Sequence, residues 1–501
     1  MNKSKFLDTK NENHTIDQFS ELIKKVVQFK NRKNVTNFKT DEYLKQKYSG
    51  SIPNSGLCTR DLQLVIDDIM NYSTNFSSPN FMGFPDAGNS IAGLMGGIIE
   101  ATLQQNLLNS SFCAKAATFI EISTVRWIRE LIGYENKELK CIKDLGGVAT
   151  VGGTSSNMYG ILMARNAAFP ESSSTGLPEC NNAKILCAKN VTHYSIRGAL
   201  NLVGLGTNNL IEVPTKNFRL DLLALRTKLE QCKFLGYQVI CFILNAGDSR
   251  TLTIDPLSES INLIKFFYPD CWIHIDGCHG TQLLFSKKYK SRILGLKQAD
   301  SISLDPHKTM NIPYTLSYFI FKDLKNVDNF WTSSQLITGD KWSLGQLTPS
   351  IGSKSWASLK LYLFILHMGK EAIGEMIDKR IDLASYFRLC LDKKTNFKTV
   401  TLSSDINSVP FIFLTKRMLN YSTELIYNIN ERIYKKLLEE GEFYFHGFPL
   451  MDDCNILNRG SDQKLFVLRY MSGNPHISKA LILKAIERIE AIGKSIECGD
   501  I

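Results

Sequence analysis

Strand-like apolar runs alternate with helix-like stretches between residues 106 and 321, and this alternation limits the fold more than any other feature. Residues 239–244 and 272–275 are β-favouring runs, whereas residues 118–132 are typical of a helix. Strands that alternate with helices favour a mostly parallel sheet covered by helices on its faces. The sequence therefore predicts an α/β fold.

Segments on either side extend this predicted core. Residues 15–29 repeat apolar side chains at helical spacing, and Thr15 and Gln18 are placed to form a capping box. The apolar stripe of this helix either packs on its own domain or makes a dimer contact. Residues 355–369 are typical of a long helix, and residues 397–491 of a smaller α+β unit. We expect three parts, namely an N-terminal helical segment that contacts a dimer partner (1–105), a large domain (106–370) and a small C-terminal α+β domain (371–501).

Composition and charge exclude several classes of protein. The net charge of +10 is spread over 501 residues without a basic stripe interleaved with aromatics, which argues against nucleic-acid binding. The 12 cysteines include no CxxC pair and no zinc-ligand spacing, so no metal site is expected and a reducing compartment is favoured. Residues 1–13 lack the apolar core of a signal peptide, and no apolar run is long enough to span a membrane. We expect a cytoplasmic protein.

Four segments of the predicted core have chemical potential, and the first is a glycine-rich turn. Residues 147–157 begin like a strand, continue through Gly152, Gly153, Thr154 and Ser155, and lead into a helix-like stretch. Backbone N–H groups and small hydroxyls in such a turn can approach a phosphate, and the helix dipole favours its charge. Turns of this composition are common before helices, so this segment alone is weak evidence for a phosphate site.

The next two segments place a histidine and an aspartate at strand ends. His193 follows the strand-like residues 185–188, where it could stack on an aromatic cofactor or transfer a proton. A lone histidine is more often a structural residue. Asp276 ends a β-favouring run, at the edge where open α/β sheets bind ligands. A carboxylate there could keep a pyridine nitrogen protonated, or it could simply cap a helix or belong to a surface turn.

The fourth segment ends in a lysine. Residues 299–308 form a strand-like run that finishes in Asp305, Pro306, His307 and Lys308. In a cleft the pKa of the lysine amine could fall, which would make it a nucleophile toward an aldehyde. Most lysines are simply solvated, so this residue gains meaning only beside the other three segments.

A phosphate turn, a histidine, a strand-end aspartate and Asp-x-His-Lys follow one another in the order found in fold-type I pyridoxal-phosphate (PLP) enzymes. More narrowly, the chain resembles the group II amino-acid decarboxylases, which include aromatic-amino-acid, glutamate and histidine decarboxylases. The resemblance runs from about residue 75 to residue 491 and includes residues 79–85, 358–360 and 468–470. It implies a seven-stranded type of sheet, PLP as cofactor, and a homodimer with its active site near the subunit interface.

The resemblance also implies roles for individual residues. Lys308 would form a Schiff base with PLP, Asp276 would pair with the pyridine nitrogen, and His193 would stack on one ring face. Cys278 stands where the family commonly has alanine against the other face. Asp248 matches a Gly-Thr-Thr turn near the cofactor, here altered to Gly-Asp-Ser. The phosphate would be held by Gly153, Thr154 and Ser155, helped by Ser303 and His307.

The segment that resembles the family's substrate entry is apolar. Phe81, Phe84 and Pro85 would favour an apolar or aromatic substrate side chain if they line the pocket, and would otherwise serve packing. No arginine is obviously matched to a distal substrate carboxylate. Many family members carry a loop tyrosine that reprotonates Cα, but the matching residues 326–351 contain no tyrosine.

The leading hypothesis is a PLP-dependent decarboxylase that converts an L-amino acid to its primary amine and CO2. An aldehyde synthase or another carbon–carbon lyase on the same scaffold is the nearest alternative, because loss of the loop tyrosine can divert the family's reaction toward oxidation. A catalytically silent binding homologue is disfavoured because Lys308 and Asp276 are both present.

Overall fold

A seven-stranded sheet forms the centre of the protein. The structure is a computed structural model, and it describes residues 10–37, 39–85, 90–178, 180–330 and 340–499. The first nine strands are β1 (Gly147–Thr150), β2 (Ala183–Ala188), β3 (Leu210–Val213), β4 (Thr215–Lys216), β5 (Arg219–Leu220), β6 (Gln238–Asn245), β7 (Trp272–Asp276), β8 (Ser301–Leu304) and β9 (Ser317–Phe321). All but β4 and β5, which form a separate hairpin, belong to the central sheet.

The strand order of this sheet is β1-β9-β8-β7-β6-β2-β3. Only β9 is antiparallel to its neighbours β1 and β8, and the remaining pairs are parallel. All residues of β1, β2, β7, β8 and β9 are buried, as expected for a sheet covered by helices on both faces. The prediction of a mostly parallel seven-stranded sheet is confirmed.

Eleven helices precede the C-terminal part in the described ranges of the chain. They are α1 (Glu12–Lys30), α2 (Asp41–Tyr48), α3 (Thr59–Asn71), α4 (Ile91–Leu103), α5 (Lys115–Ile132), α6 (Gly153–Ala168), α7 (Ser172–Thr175), α8 (Ser195–Leu202), α9 (Leu222–Phe234), α10 (Leu257–Phe267) and α11 (Pro306–Thr309). None of the helices in the described part of the chain combines the length and apolar character needed to cross a bilayer.

Helix α1 confirms the predicted N-terminal helix but not its cap. The helix begins at Glu12, one turn before the predicted start, so Thr15 and Gln18 lie inside it. The Thr15 hydroxyl donates to the carbonyl of Asn11 at 3.0 Å, and the predicted capping box is therefore wrong. No residue of α1, all of which the structure describes, is buried. Four apolar side chains of its stripe remain about half exposed, namely Ile16, Phe19, Ile23 and Val27.

A second, smaller sheet follows a long helix. Helix α12 (Ser358–Asp392) begins three residues after the start of the predicted helix 355–369 and is interrupted at Gly369, whose φ is 71°. The small sheet is antiparallel, with strand order β10-β11-β13-β12, and it packs against the last two helices. These elements are β10 (Phe397–Thr399), β11 (Ser408–Phe413), α13 (Thr423–Glu440), β12 (His446–Met451), β13 (Lys464–Met471) and α14 (Lys479–Cys498).

Candidate active site

A cavity of about 370 Å³ lies at the carboxyl edge of the central sheet. Its wall includes Gly152, Asn245, Asp276 and Asp305, which stand at or just after the ends of β1, β6, β7 and β8. The carboxyl ends of parallel strands are the usual ligand-binding edge of such sheets. The cavity also brings together His193 and Lys308, which lie more than one hundred residues apart in the chain.

The glycine-rich turn between β1 and α6 forms one side of the cavity. Gly152 has a φ of 152°, and no described atom lies within 4 Å of the position that a Cβ would take there. At Gly153 a Cβ would lie 2.6 Å from the sulfur of Cys278, so only glycine fits. The first N–H groups of α6 have no partner within the helix, and together with the helix dipole they suit an anion.

Two of the three residues predicted to hold phosphate in this turn line the cavity, namely Gly153 and Thr154. Ser155 is absent from the described lining, and its backbone N–H donates to the carbonyl of Gly152 at 3.0 Å. Of the two predicted helpers, His307 lines the cavity and Ser303 lies behind it. The Ser303 hydroxyl is 3.5 Å from the Cys278 sulfur.

Asp276 presents its carboxylate to the cavity from the end of β7. Oδ2 accepts a hydrogen bond from the Asn157 amide at 2.8 Å, and Oδ1 accepts one from the backbone N–H of Cys278 at 3.2 Å. The side chain is thus held by two N–H donors from different elements. Because carboxylates accept strong hydrogen bonds from such donors, this arrangement suits an acceptor for a protonated ring nitrogen.

His193 lies across the same cavity, shortly after β2. Nδ1 of its ring is 2.8 Å from the hydroxyl of Ser195 and 3.2 Å from the backbone nitrogen of that residue. Burial lowers the pKa of His193 below its ordinary value, so the ring is neutral at pH 7. The ring of Tyr194 packs on it with centroids 4.1 Å apart.

Lys308 stands in α11, the short helical turn that follows β8. Its Nζ lies 2.8 Å from Oδ2 of Asp305. Burial alone would lower the pKa of Lys308, but the charge of Asp305 outweighs burial and raises the pKa above its ordinary value. The expectation that a cleft lowers the pKa of this lysine is wrong, because the aspartate three residues earlier in the chain holds the amine as an ammonium.

Cys278 and Asp248 lie in the cavity wall, as the resemblance implies. Burial raises the pKa of the Cys278 thiol well above its ordinary value, and the thiol is therefore neutral at pH 7. The Asp248 carboxylate accepts hydrogen bonds from the backbone N–H groups of Arg250, Thr251 and Thr253 at 2.7 to 2.9 Å. These bonds fold the 248–253 turn, so Asp248 shapes the wall from inside this turn.

The three predicted substrate residues separate into two groups. Phe84 and Pro85 line the cavity. Phe81 is 2% exposed and stacks on Tyr444 with centroids 4.8 Å apart. Phe81 therefore belongs to the packing between the entry segment and the small-sheet region, and its prediction as a residue of the pocket lining is wrong.

The resemblance includes residues 468–470, but sequence reasoning gave Arg469 no place in the cavity wall. Arg469 of β13 is 2% exposed, and its guanidinium donates to the carbonyls of Ser249 at 2.6 Å and Gly83 at 3.2 Å. The same guanidinium lies 5.7 Å from the centroid of the Phe84 ring. Arg469 reaches the cavity from the small sheet, 161 positions after Lys308, and no local pattern in the sequence signals this approach.

Other lining residues also lacked a sequence signal. His279, Tyr194 and Tyr314 contribute to the wall, and burial lowers the pKa of His279 well below its ordinary value. Residues 331–339 of the segment that matches the family's tyrosine loop lie outside the described residues. The two lining tyrosines therefore come from other parts of the chain.

The residues present fit PLP. The open turn at Gly152 suits the phosphate group, Asp276 suits the pyridine nitrogen, and Lys308 supplies an amine for the aldehyde. These groups surround one cavity that is large enough for a cofactor and part of a substrate.

Comparisons with known proteins agree with this fit. Residues 42–414 match the family model described as the pyridoxal-dependent decarboxylase conserved domain. The aromatic-L-amino-acid decarboxylase of Bacillus atrophaeus is 23% identical over 465 residues, which cover 91% of this chain and 90% of that protein. The L-aspartate decarboxylase dtxS4 of Metarhizium robertsii is 26% identical over 369 residues, which cover 72% and 71%.

Solved structures show the same fold. The crystal structure of Oryza sativa TDC with PLP and tryptamine superposes with a TM-score of 0.83 at 19% sequence identity. The superposition covers 98% of this chain and 99% of that chain. Because the family model also spans well over half of the sequence, the chain belongs to the pyridoxal-dependent decarboxylase family and is a PLP-dependent carboxy-lyase.

Proposed function

We propose that this carboxy-lyase converts an L-amino acid to its primary amine and CO2, with Lys308, Asp276 and His193 in the central roles. The observation that supports the proposal most strongly is their convergence on one cavity. An amine, a carboxylate and a neutral imidazole from three separate parts of the chain line it together. The glycine-rich turn at Gly152 and Gly153, between β1 and α6, would bind an anion in the same cavity.

When bound, PLP supplies an aldehyde for the substrate amine and an electron-withdrawing ring that stabilises negative charge at Cα. Lys308 would hold the cofactor covalently, and the first N–H groups of α6 would hold its phosphate. Asp276 would keep a proton on the ring nitrogen, because a carboxylate beside that nitrogen favours its cationic form. His193 and Cys278, both neutral, would contact the ring without adding charge.

Proton handling at the lysine follows from its neighbour. Lys308 reacts only as a free amine, so it must first lose a proton, and Asp305 at 2.8 Å is in place to receive it. The same carboxylate accepts a hydrogen bond from the Ser317 hydroxyl at 2.5 Å, which helps to hold it in this position.

Asp276, Cys278 and Asp305 are all less than one-tenth exposed, so the inner wall excludes bulk water. Loss of CO2 disperses the charge of a carboxylate, and a poorly hydrated wall favours that step.

Two phenol groups are candidates for the proton donor to Cα, although residues 326–351 contain no tyrosine. Tyr194 and Tyr314 both line the cavity. A phenol can return a proton to Cα after CO2 has left, and this supports amine formation over the aldehyde-forming alternative. Replacing each tyrosine with phenylalanine and measuring the ratio of oxygen consumed to CO2 released will identify the donor.

Two classes of substrate side chain compete for this cavity. Phe84 and Pro85 support an apolar or aromatic side chain, and the relative from Bacillus atrophaeus is named for aromatic amino acids. Arg469 favours a second candidate, an acidic side chain, because its guanidinium lies in the same wall and carboxylates pair with guanidinium groups. The relative from Metarhizium robertsii is named for L-aspartate. We propose the apolar or aromatic class, and L-aspartate and L-glutamate are the decisive competitors.

The experiment begins with an absorbance spectrum of the purified protein. A panel of aromatic, aliphatic, acidic and basic L-amino acids is then added while CO2 and oxygen are monitored together. We expect a visible cofactor band that shifts with one class of amino acid, release of CO2, and no oxygen uptake. Oxygen uptake with aldehyde formation would establish the synthase alternative. Turnover of the acidic amino acids alone would replace the apolar class by the acidic one.

The proposal includes a homodimer in the cytoplasm. The half-exposed stripe of Ile16, Phe19, Ile23 and Val27 on α1 supports the dimer, because exposed apolar patches of this kind mark interaction surfaces. The 12 cysteines all lie in described parts of the chain and are free thiols, which supports a reducing compartment.

A further inference from the structure

A buried amide joins the two residues proposed to flank the cofactor. Asn157 of α6 is 1% exposed, and its amide nitrogen donates to Oδ2 of Asp276 at 2.8 Å and to the Ser195 hydroxyl at 3.1 Å. Its amide oxygen accepts from the Ser303 hydroxyl at 2.7 Å and faces Nε2 of His274 at 3.1 Å. Both hydrogens and both lone pairs of the amide are therefore used.

The direction of these hydrogen bonds is fixed from both ends. A carboxylate only accepts, so Asn157 must turn its N–H toward Asp276 and its oxygen toward His274. Nε2 of His274 therefore carries hydrogen, and its Nδ1 accepts from the Ser301 hydroxyl at 2.8 Å. Ser301 in turn accepts from the indole N–H of Trp272 at 2.8 Å, and an indole only donates. Burial lowers the pKa of His274 to about 4, consistent with a neutral ring.

The second branch runs from Asn157 to His193. Because the Ser195 oxygen accepts from Asn157, its own hydrogen is directed to Nδ1 of His193 at 2.8 Å. The backbone N–H of Ser195 also donates to Nδ1, at 3.2 Å. With Nδ1 occupied as an acceptor, neutral His193 carries its proton on Nε2.

We infer that Asn157 is a positioning residue that orients the Asp276 carboxylate and, through Ser195, the His193 ring. Its N–H group holds Oδ2 of Asp276, and it turns the hydrogen of the Ser195 hydroxyl toward Nδ1 of His193, where the backbone N–H of Ser195 also donates. One side chain thus organises the hydrogen bonds of both groups. The inference rests on the proposed roles of Asp276 and His193.

Replacing Asn157 with aspartate gives the sharpest test, because the new side chain has nearly the same shape but only accepts. In N157D the Ser195 hydroxyl turns toward the new carboxylate, and Nδ1 of His193 keeps only the backbone N–H of Ser195 as a donor. We expect the neutral His193 ring to stay in the Nε2–H tautomer while the 15N signal of its Nδ1 shifts, because one of the two hydrogen bonds to that atom is lost. The second carboxylate beside Asp276 also makes that pair share a proton, so PLP dissociation should increase roughly tenfold or more.

The measurement is 15N NMR of the histidine rings in the full-length holoprotein as a function of pH, together with the dissociation constant for PLP. The chain has 8 histidines, and the variant H193Q identifies the signal of His193. The pKa of His193 should also rise in N157D. The charged groups that already act on this ring are Asp276, Lys308, Asp305 and Arg250, and all four are retained.

Two control variants separate the branches. Asn166 lies on the same helix and its amide donates to the carbonyl of Asn329, away from the cavity. N166D should therefore leave the Nδ1 signal of His193 and PLP binding unchanged. S195A removes the hydroxyl that bonds to His193 and leaves the bond between Asn157 and Asp276 in place. Its PLP dissociation constant should therefore stay within about twofold of the wild-type value.

An Nδ1 signal of His193 that does not shift in folded N157D would overturn the inference, as would loss of PLP from S195A equal to that from N157D. If N157D does not fold, Asn157→Ser replaces it, because a single hydroxyl can donate to only one of the two acceptors. An unshifted Nδ1 signal together with full retention of PLP in that variant counts equally against the inference. Failure of the wild-type protein to release CO2 would contradict the proposed function while leaving the NMR result intact.

Discussion

Oδ2 of Asp305 lies 2.8 Å from Nζ of Lys308, and both residues belong to the turn that follows β8. The aspartate is 1% exposed, so the pair is formed away from bulk water, where an opposite charge acts strongly. The protonation of the lysine is therefore governed by this carboxylate. A fixed proton acceptor beside the amine also means that capture of the cofactor depends on pH.

Asp305→Asn should lower the pKa of Lys308, because burial then acts on the ammonium without the opposing charge. Each unit by which the pKa falls raises the fraction of free amine at neutral pH about tenfold. The rate at which the cofactor-free protein takes up PLP, followed by visible absorbance against pH, should have its midpoint at lower pH in D305N. Ser317→Ala removes only a hydrogen bond to Asp305 and should keep the wild-type midpoint. An identical midpoint in D305N would show that Asp305 does not control the amine.

Gly160→Ala should destabilise the protein although alanine favours helices. A Cβ at Gly160 would lie 2.4 Å from Nδ1 of His274, and hydrogen bonds to Ser301 and Asn157 hold that ring in place. We expect a loss of about 1–3 kcal/mol in the free energy of unfolding by urea. Gly198→Ala in α8 meets no described atom within 4 Å and should instead gain about 0.5–1 kcal/mol. Equal stabilities of the two variants would contradict the tight packing of His274.

The buried His274 ring should make stability fall in acid. The pKa of His274 is about 4 in the folded protein, whereas an exposed histidine of the unfolded chain has the ordinary value of 6.5. The unfolded chain therefore takes up this proton first as the pH falls. The free energy of unfolding should therefore decrease between pH 6.5 and pH 4, by about 3 kcal/mol for this group. His274→Asn should flatten the acid limb of stability measured by urea unfolding at each pH. His476→Asn, at an exposed position, should leave that limb unchanged.

Disruption of the α1 stripe should separate the proposed dimer. Phe19 and Ile23 are 52% and 49% exposed on one face of α1, and paired aspartates there would place charge in a desolvated contact. We expect the double variant F19D/I23D to sediment as a monomer at concentrations where the wild-type protein is a dimer. Phe234, which is 91% exposed at the end of α9, provides the matched control F234D. A wild-type protein that is a monomer and still turns over substrate would rule out the dimer.

Much of the fold and the convergence of several site residues could be predicted because their signals are local. Strand β6 contains the apolar run 239–244, β7 is a short β-favouring run, and Asp276 marks the end of β7. The boundary at residues 370 and 371 stays a prediction, and α12 is interrupted next to it at Gly369. Such features depend on a few neighbouring residues, which the sequence displays directly.

Features that depend on approach in space could not be predicted. The raised pKa of Lys308 depends on the actual distance between its amine and Asp305, and the presence of Arg469 in the wall depends on its approach to the carbonyls of Ser249 and Gly83. Phe81 was expected in the pocket from its place beside Phe84, but its stacking partner Tyr444 lies far along the chain. The sequence gives only a weak indication of the role of Asn157. It stands one helical turn after Gly153, so the two residues lie on the same face of α6.

The antiparallel strand β9 has a consequence for the order in which the active site assembles. Lys308 lies in the connection between β8 and β9, which pair directly, so its turn is closed by contacts local in sequence. Gly153 follows β1, whose antiparallel partner β9 is distant in the chain, and His193 follows β2, which joins the sheet through parallel pairs. Such non-local pairings form slowly. The lysine turn can therefore form before the sheet is complete, whereas the glycine-rich turn and the imidazole take their places only when these pairings have formed. Stable binding of PLP then requires the completed sheet. A chain whose folding stops earlier would have the turn that contains Lys308 in place but would release PLP.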